Sequence, residues 1–514
     1  MRGLEIDRWL PARRGADAVA VSKRLVWLVP PGVFLAARSV DQHQVPTLLG
    51  LLAGLWLLVW AARRPGSAAI VLLAGLPFQL FVLSYLYAHG LPSGLARAMG
   101  GWKEVLTGGI ALAGIHAVAT TGRRLDALDK LALAFIGTVA AIYLLPGLFD
   151  PGVRAVPQAR LLAARELALF AVLFLGLRHV SLPSSTPRRA TSAMLIAGVV
   201  AAALGIVEFA FSAGWNDFVV RVVGVSRFQT EVLGVQLVSP FDRRIYGSIA
   251  GREHVRAGSV WLGHSGLAFH MVILSGYVLH RMVAASARGG LQAAGALLAA
   301  ALVLTATRSA VLALLVMVLV AMGRRAGGTS RGRVRAGFAL LAALVLAFPT
   351  LAGSTIGDRT AGAVSGEDPS TEDHWRGLDE GIASILERPL GNGLGTGGGE
   401  GDRFGSGATV VTENAYLEVG TEAGVPVMVL FILLLLVAIR ALGRRSDDGG
   451  VGAEVAPWVR LSAIGLAVAG LLLPVFGLQT STLLWGLMGI ALNRTGDGVK
   501  SLAYSAAPSL VRFS

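Results

Sequence analysis

The stretch ENAYLEVGTEAGVP places three carboxylates directly before an apolar segment of membrane-spanning length, and they belong to Glu413, Glu418 and Glu422. An ionised carboxylate can act as a general base that removes the proton of an attacking hydroxyl group. If the stretch is helical, Glu413 shares one face with Tyr416, whereas the other two carboxylates point elsewhere. We therefore predict that Glu413 is a catalytic base and that Glu418 and Glu422 are solvated.

A single arginine, Arg308, interrupts the apolar stretch LTATRSAVLALLVMV. Placing its charge within a membrane costs about a few kcal/mol, so such a residue generally has a function or an internal partner. We predict that Arg308 binds an anion, and the alternative is an anchor that reaches the membrane surface. Two structural alternatives also exist for Glu413, because it could pair with Arg308 or cap a helix that begins near Asn414.

Further arginines gather in the segment 214–258, among them Arg243, Arg244 and Arg256. A guanidinium group matches phosphate oxygens two at a time, so these arginines predict an anionic ligand. The alternative is a solvated loop whose arginines pair with nearby acidic residues. The position of Arg256 at the membrane edge favours the ligand for that residue.

The segment TEDHWRGLDEGIASILE has the pattern of an amphipathic helix. We expect one stripe to lie against the membrane domain: His374, Leu378, Ile382 and Ile385. His374 would then face the interior, where it is the second candidate for the base. The next segment, RPLGNGLGTGGGEGDRFGSG, predicts a flexible glycine loop that is a mobile lid, a backbone cradle for phosphate or a plain linker.

The composition indicates where these residues lie. The chain has 514 residues, 54% of them hydrophobic and 15% charged, with no cysteine, and its mean hydropathy is +0.66. These values, with many separate apolar blocks, predict an all-α polytopic membrane protein with about fourteen transmembrane helices. The net charge of +14 fits basic loops in the cytoplasm, so we expect no nucleic-acid partner.

The alternation of arginine-rich loops predicts that both termini are inside the cell. A large extracytoplasmic loop then precedes the third-last span, and the candidate site residues lie on the outer face. The expected regions are a cytoplasmic tail (1–24), N-terminal transmembrane helices (25–213), an external Arg-rich loop (214–258), transmembrane helices with a T-R-S turn (259–353), a large external loop with an amphipathic helix (354–412), C-terminal transmembrane helices (413–493) and a cytoplasmic tail (494–514).

Four motifs in this order carry a resemblance to a known family. They are R-x-G-S at Arg256 to Ser259, T-R-S at Thr307 to Ser309, the helix leading into PLGNGLG (Pro389 to Gly395), and ENAYLEVGTEAGVP (Glu413 to Pro426). Over roughly residues 240–440 the chain resembles the O-antigen polymerase and ligase family of bacterial envelope glycosyltransferases. The resemblance implies a GT-C-like membrane fold in the bacterial cytoplasmic (inner) membrane, with the active site on the extracytoplasmic face.

The resemblance also implies a reaction. A glycan on undecaprenyl diphosphate would be the donor, and a sugar hydroxyl would be the acceptor, with no metal or cofactor. The acceptor is another lipid-linked repeat for a polymerase of O-antigen or exopolysaccharide, which we expect here, and a lipid-A core for a ligase, which is the alternative. A flippase, a chain-length regulator and membrane lipid would be further partners.

Family members hold the diphosphate with arginines and activate the acceptor with a histidine. This sequence has Glu413-Asn414 where the family often has His-Asn, and His374 where it often has arginine, so the base is Glu413 or His374. The resemblance and the local patterns predict the substrate-binding residues Arg308, Arg256, Arg243, Arg244, Arg376, Asn414 and Tyr416.

A transporter or flippase is the alternative outside this class. It would require charged or broken helices at mid-membrane along a path through the protein. The distinctive charges of this sequence are instead predicted at the outer face. His264 and His270 are exceptions, and their six-residue spacing favours packed histidines over a metal or proton site.

Overall fold

The computed structural model describes residues 45–146, 155–234, 246–249, 252–284, 289–323, 369–397, 412–448 and 451–494. Its N-terminal half contains α1 (Val45–Arg63), α2 (Pro65–Gly75), α3 (Gln79–Ala88), α4 (Ser93–Gly100), α5 (Trp102–Thr121), α6 (Ala127–Leu144), α7 (Pro157–His179), α8 (Thr186–Ala210), α9 (Ser212–Asp217) and α10 (Val225–Glu231). Then follow β1 (Tyr246–Ile249), β2 (Arg252–Val255), α11 (His264–Val283), α12 (Gly289–Leu304), α13 (Arg308–Gly323), α14 (Pro369–Glu387), α15 (Ala415–Ala423), α16 (Val425–Asp448), α17 (Ala456–Ala469) and α18 (Leu478–Ala491).

The described chain is helical, as predicted, with one small exception. Strands β1 and β2 form an antiparallel hairpin in which Tyr246 pairs with Val255 and Ile249 pairs with Arg252. The hairpin lies in the segment 214–258, for which we predicted an external Arg-rich loop. The same segment also contains α10 and a short π-helical turn, so the described part of this loop has regular structure.

Among the described residues, six helices are long and apolar enough to cross a membrane: Pro65–Ala88, Ser93–Thr121, Ala127–Leu144, Thr186–Ala210, His264–Val283 and Val425–Ser446. Four shorter apolar helices accompany them. The protein is therefore a multi-pass membrane protein. The expectation of about fourteen spans stays a prediction. Two of the apolar segments counted among them, near 25–38 and 335–353, lie outside the described residues.

Glycines allow the helices of the N-terminal half to touch through their backbones. A Cβ atom at Gly114 of α5 would lie 2.9 Å from the Cα of Gly176 in α7. On the opposite side of α7, a Cβ atom at Gly489 of α18 would lie 2.9 Å from the carbonyl oxygen of Phe174. Small residues at such crossings permit the close packing that holds helices together in a membrane. Helix α7 is therefore clamped between α5 and α18.

A buried ion network closes one end of this bundle. Arg178 at the end of α7 donates to Asp129 of α6 at 2.8 Å, and Arg494 after α18 donates to the same carboxylate at 3.2 Å. Asn493 caps the end of α7 by donating to the carbonyl oxygens of Leu177 (2.6 Å) and Val180 (2.8 Å). The network fixes the ends of α6, α7 and α18 opposite the end that carries the candidate site.

Candidate functional site

The T-R-S motif is a tight turn between α12 and α13, and Arg256 holds it. The Arg256 Nε donates to the Thr305 carbonyl oxygen at 2.8 Å, and Nη2 donates to that of Ala306 at 2.7 Å. A helix that ends leaves carbonyl groups without intrahelical partners, and the guanidinium fork satisfies two of them here. Burial, together with the positive charge of Arg308, lowers the pKa of Arg256 to about 10.

The structure thus brings Arg256 and Arg308 together, as predicted, but gives them different surroundings. Arg256 is half-buried and engaged with backbone carbonyls, whereas Arg308 is exposed between the buried residues Thr307 and Ser309. Arg308 is also the first residue of α13. The positive end of that helix and the guanidinium charge therefore coincide, an arrangement that favours anions. Diphosphate binding by Arg256 stays a prediction. The contacts of Arg256 with backbone carbonyl groups indicate that it holds the T-R-S turn.

The other side of the R-A-G-S segment is held by α8. Glu208 is 2% exposed, and its Oε2 accepts the backbone N–H groups of Gly258, at 2.7 Å, and of Ser259. The Ser259 hydroxyl donates to the Ala201 carbonyl oxygen at 2.7 Å. Glu208 was not among the site residues predicted from the sequence. The available signal was a carboxylate inside an apolar span, which is a functional candidate by default.

Backbone strain concentrates in these two segments. Among the described residues, the non-glycine residues with positive φ are Ser259 (52°), Leu262 (56°) and Ala306 (50°). Such conformations are unfavourable for residues with a Cβ atom and persist where the surrounding structure enforces them, often at functional sites. The buried His270 contributes to that enforcement, because its Nδ1 accepts a hydrogen bond from Trp261 Nε1 at 3.2 Å.

Asn414, and not Glu413, caps helix α15. Its Oδ1 accepts the backbone N–H groups of Tyr416 (2.9 Å) and Leu417 (3.0 Å), and its Nδ2 donates to the Leu471 carbonyl oxygen at 3.0 Å. The Tyr416 hydroxyl donates to the Ala467 carbonyl oxygen at 2.6 Å. These contacts exclude the capping alternative for Glu413, which lies half-buried just before the cap. Substrate binding by Asn414 and Tyr416 stays a prediction, since both side chains hold α15 on the bundle.

Helix α17 relates Glu413 to Arg308. A Cβ atom at Gly465 would lie 3.3 Å from the Ala313 carbonyl oxygen of α13, so the two helices touch there. They run antiparallel, because the starts of α11 and α13 both lie beside Arg256, and the contacts of Ile273 with Ser462 and of Tyr277 with Trp458 make α11 antiparallel to α17. Five residues further along each helix, about 7.5 Å at the α-helical rise, Arg308 and Gly470 reach the same level. The Gly470 carbonyl oxygen accepts the N–H of Ala415 at 2.9 Å, so the start of α15 lies at the level of Arg308.

The prediction that Glu418 and Glu422 are solvated is wrong. Glu422 is buried, and its Oε1 accepts the N–H of Gly397 at 3.1 Å. Burial, together with the negative charges of Glu166 and Glu413, raises the pKa of Glu418 to about 8. Burial also raises the pKa of Glu422 well above its ordinary value, helped by the charges of Glu418 and Glu166. The carboxylate of Glu166 in α7 acts on both side chains, which the sequence pattern could not indicate.

Helix α14 packs on α15 through Gly381 and Ile385, and only Ile385 belongs to the predicted stripe. A Cβ atom at Gly381 would lie 2.7 Å from Thr412, and one at Gly420 would lie 2.7 Å from Ile385. Ile382, which we expected to face inward, is 43% exposed. Glycine has no Cβ atom, so the glycines at this contact let α14 and α15 approach more closely than larger apolar residues would. The backbone of His374 lies in α14, but its side chain lies outside the described residues, and Arg376 is exposed.

The first part of the glycine loop is fixed in place. The Asn392 N–H donates to the Thr421 carbonyl oxygen at 2.7 Å, and the Gly393 N–H donates to that of Glu422 at 3.0 Å. Gly395 has φ of +78°, and a Cβ atom there would lie 2.6 Å from the backbone of Ala159. This part is therefore neither a flexible linker nor a mobile lid. Residues 398–407 of the loop lie outside the described residues.

The remaining arginines of the segment 214–258 divide into two groups. Arg221 pairs with Asp217 at 3.6 Å, and Arg227 pairs with Glu231 at 3.1 Å, both on exposed helical surfaces. For these two the alternative of a solvated, paired loop is correct. Arg243 and Arg244 lie outside the described residues, and their role in substrate binding stays a prediction.

Fold and site together describe a multi-pass helical membrane protein with an arginine-bearing turn beside an acidic helix. Residues 293–432 match the family model described as O-antigen ligase. The match confirms the resemblance to the O-antigen ligase and polymerase family, and it includes Arg308, Glu413 and α14. A comparison of the chain with the curated proteins found no match.

The protonation of Glu418 predicts a pH dependence of stability. Its pKa is about 8 in the folded protein against an ordinary value of 4.5, so the folded state binds more protons than the unfolded state between these values. Stability is therefore full below about 4.5 and declines as the pH rises through about 8. We expect the melting temperature in detergent to fall over this range. Glu418→Gln should flatten the decline, whereas the exposed Glu387→Gln should not; equal slopes in all three proteins would contradict the assignment.

Proposed function

We propose that this protein is a glycosyltransferase that moves a glycan from an undecaprenyl-diphosphate donor to a sugar hydroxyl at the outer face of the cytoplasmic membrane. Its product would be an O-antigen or exopolysaccharide chain, so that it acts as a polymerase. The observation that carries the proposal is the exposed Arg308 at the positive end of α13, inside the region that matches the O-antigen ligase model.

The proposed reaction uses two features of the site. As the bond between the sugar C1 and the diphosphate oxygen breaks, the electron pair stays with the diphosphate, and Arg308 stabilises the developing charge. The acceptor hydroxyl forms the new bond to C1 and gives its proton to a base, which is Glu413 in this proposal. Glu413 precedes the cap of α15, at the level of Arg308, so one reacting centre could contact both residues.

A ligase is the second candidate, because the matching family model is described as O-antigen ligase. The two activities share the donor and the chemistry and differ in the acceptor. A surface-polysaccharide gel of a deletion strain and its complemented strain separates them. A polymerase deletion loses the ladder and retains material with one repeat, whereas a ligase deletion accumulates polymer on the lipid carrier. An unchanged ladder would contradict both.

Arg308 provides a direct test of diphosphate binding. We expect Arg308→Ala to abolish transfer while the protein remains in the membrane, and Arg308→Lys to restore little activity, because an ammonium group cannot reproduce the two-pronged geometry. Arg227→Ala is the matched control, since that arginine is paired on an exposed helix. Transfer with purified lipid-linked donor is the measurement, and full activity of Arg308→Ala would refute the role.

The identity of the base is tested by two variants. Glu413→Gln should remove turnover and retain donor binding, because an amide cannot accept the acceptor proton. If His374 is the base instead, His374→Ala is inactive and Glu413→Gln turns over normally. Single-turnover transfer and donor binding are measured for both variants. Since Asn414 already caps α15, a loss in Glu413→Gln cannot be ascribed to a missing helix cap.

A further inference from the structure

Glu208 makes an unusual contact for a side chain in a membrane span. It lies in the last turn of α8, and its single Oε2 atom accepts two consecutive backbone N–H groups, those of Gly258 and Ser259. Burying a carboxylate in an apolar region is costly, and hydrogen bonds from N–H groups offset that cost. A neutral side chain would hold a loop at a smaller desolvation cost. The two hydrogen bonds to one oxygen atom therefore indicate a demand for a strong and directional attachment.

The attachment involves a whole stripe of α8. A Cβ atom at Gly205, one turn before Glu208, would lie 3.6 Å from the Ser259 side chain and 3.7 Å from that of Ala257. Two turns before Glu208, the Ala201 carbonyl oxygen accepts the Ser259 hydroxyl at 2.7 Å. The segment 257–259 therefore lies along α8, and Glu208 in the last turn of α8 binds its backbone.

The opposite side of the same segment holds the Arg308 turn. The Ala257 N–H donates to the Leu304 carbonyl oxygen at 3.1 Å. Arg256 donates to the carbonyl oxygens of Thr305 and Ala306 at 2.8 and 2.7 Å. Two of the strained residues, Ser259 and Ala306, are among the residues held in this way. A continuous series of hydrogen bonds therefore runs from Glu208 through residues 256–259 to the turn that presents Arg308.

We propose that Glu208 is a positioning residue, which fixes the R-A-G-S segment so that Arg256 holds the T-R-S turn and Arg308 faces the anionic donor. This inference rests on the proposed function for its consequence in transfer. The clamp itself is a property of the fold, and it can be measured without any substrate.

The clamp is tested by thiol labelling, because the natural chain has no cysteine. Ala257→Cys places one thiol at a position that is 0% exposed, and Ser259→Cys is the second choice if that variant does not fold. With Glu208 intact we expect slow reaction with a maleimide. Glu208→Ala should accelerate labelling about tenfold or more, and Glu208→Gln, which keeps an acceptor oxygen, less than about threefold. Asp217→Asn, an exposed carboxylate, is the matched control.

Transfer is measured on the same Glu208 variants without the added cysteine. We expect Glu208→Ala to lower kcat/KM for the lipid-linked donor about 100-fold, and Glu208→Gln to retain transfer within about tenfold, because its amide oxygen still accepts an N–H group. A general loss of folding would lower the yield of both Glu208 variants, and Glu208→Gln would then not retain its transfer activity.

The two hypotheses fail in different ways. Equal labelling rates and equal transfer for Glu208→Ala and the parent would overturn the positioning role, even with the parent fully active. A parent with no transfer would overturn the proposed function and the role of Glu208 in catalysis with it, while the labelling contrast would still decide whether the clamp exists.

Discussion

The interior of a membrane offers no water to backbone N–H and C=O groups, so every interruption of a helix there must be satisfied by the protein itself. The interruptions described here are each met by a polar side chain. Arg256 binds the carbonyl groups at the turn before α13, and Asn414 binds the N–H groups at the start of α15. Glu166 accepts the N–H of Leu478 at the start of α18 at 2.9 Å. The candidate site is assembled from these interruptions.

This requirement explains why neighbouring polar residues at the site have different tasks. Arg256 and Asn414 use their hydrogen-bonding groups on backbone, and in doing so they leave Arg308 and Glu413 at the ends of ordered helices. A rigid scaffold behind a catalytic group limits the geometries that the group can adopt, which is how positioning contributes to rate. The residues that resemble a family motif are therefore in part its scaffold.

Much of the fold and part of the site could be predicted from the sequence. The region 259–353, which we predicted to contain transmembrane helices, includes α11 from His264 to Val283, and the charge of Arg308 that interrupts the apolar stretch marked the turn correctly. The partner of Arg256 could not be predicted, because Thr305 lies 49 residues away in sequence. Helical periodicity assigned Glu418 to a face but could not reveal that the carboxylate of Glu166 in α7 acts on it.

The burial of Glu418 and Glu422 also bears on the charge of the site. An ionised acidic helix at the level of Arg308 would repel a diphosphate, since like charges act strongly where water is scarce. Below a pH of about 8, Glu418 is largely protonated, and burial raises the pKa of Glu422 well above its ordinary value, which favours its neutral form. Burial thus favours the protonated forms of Glu418 and Glu422 and lowers the negative charge of α15. An acid-rich sequence can in this way border a site for an anionic donor, and the protonation that permits it comes from the packing of the glycine loop against α15 and from the nearby carboxylate of Glu166 in α7.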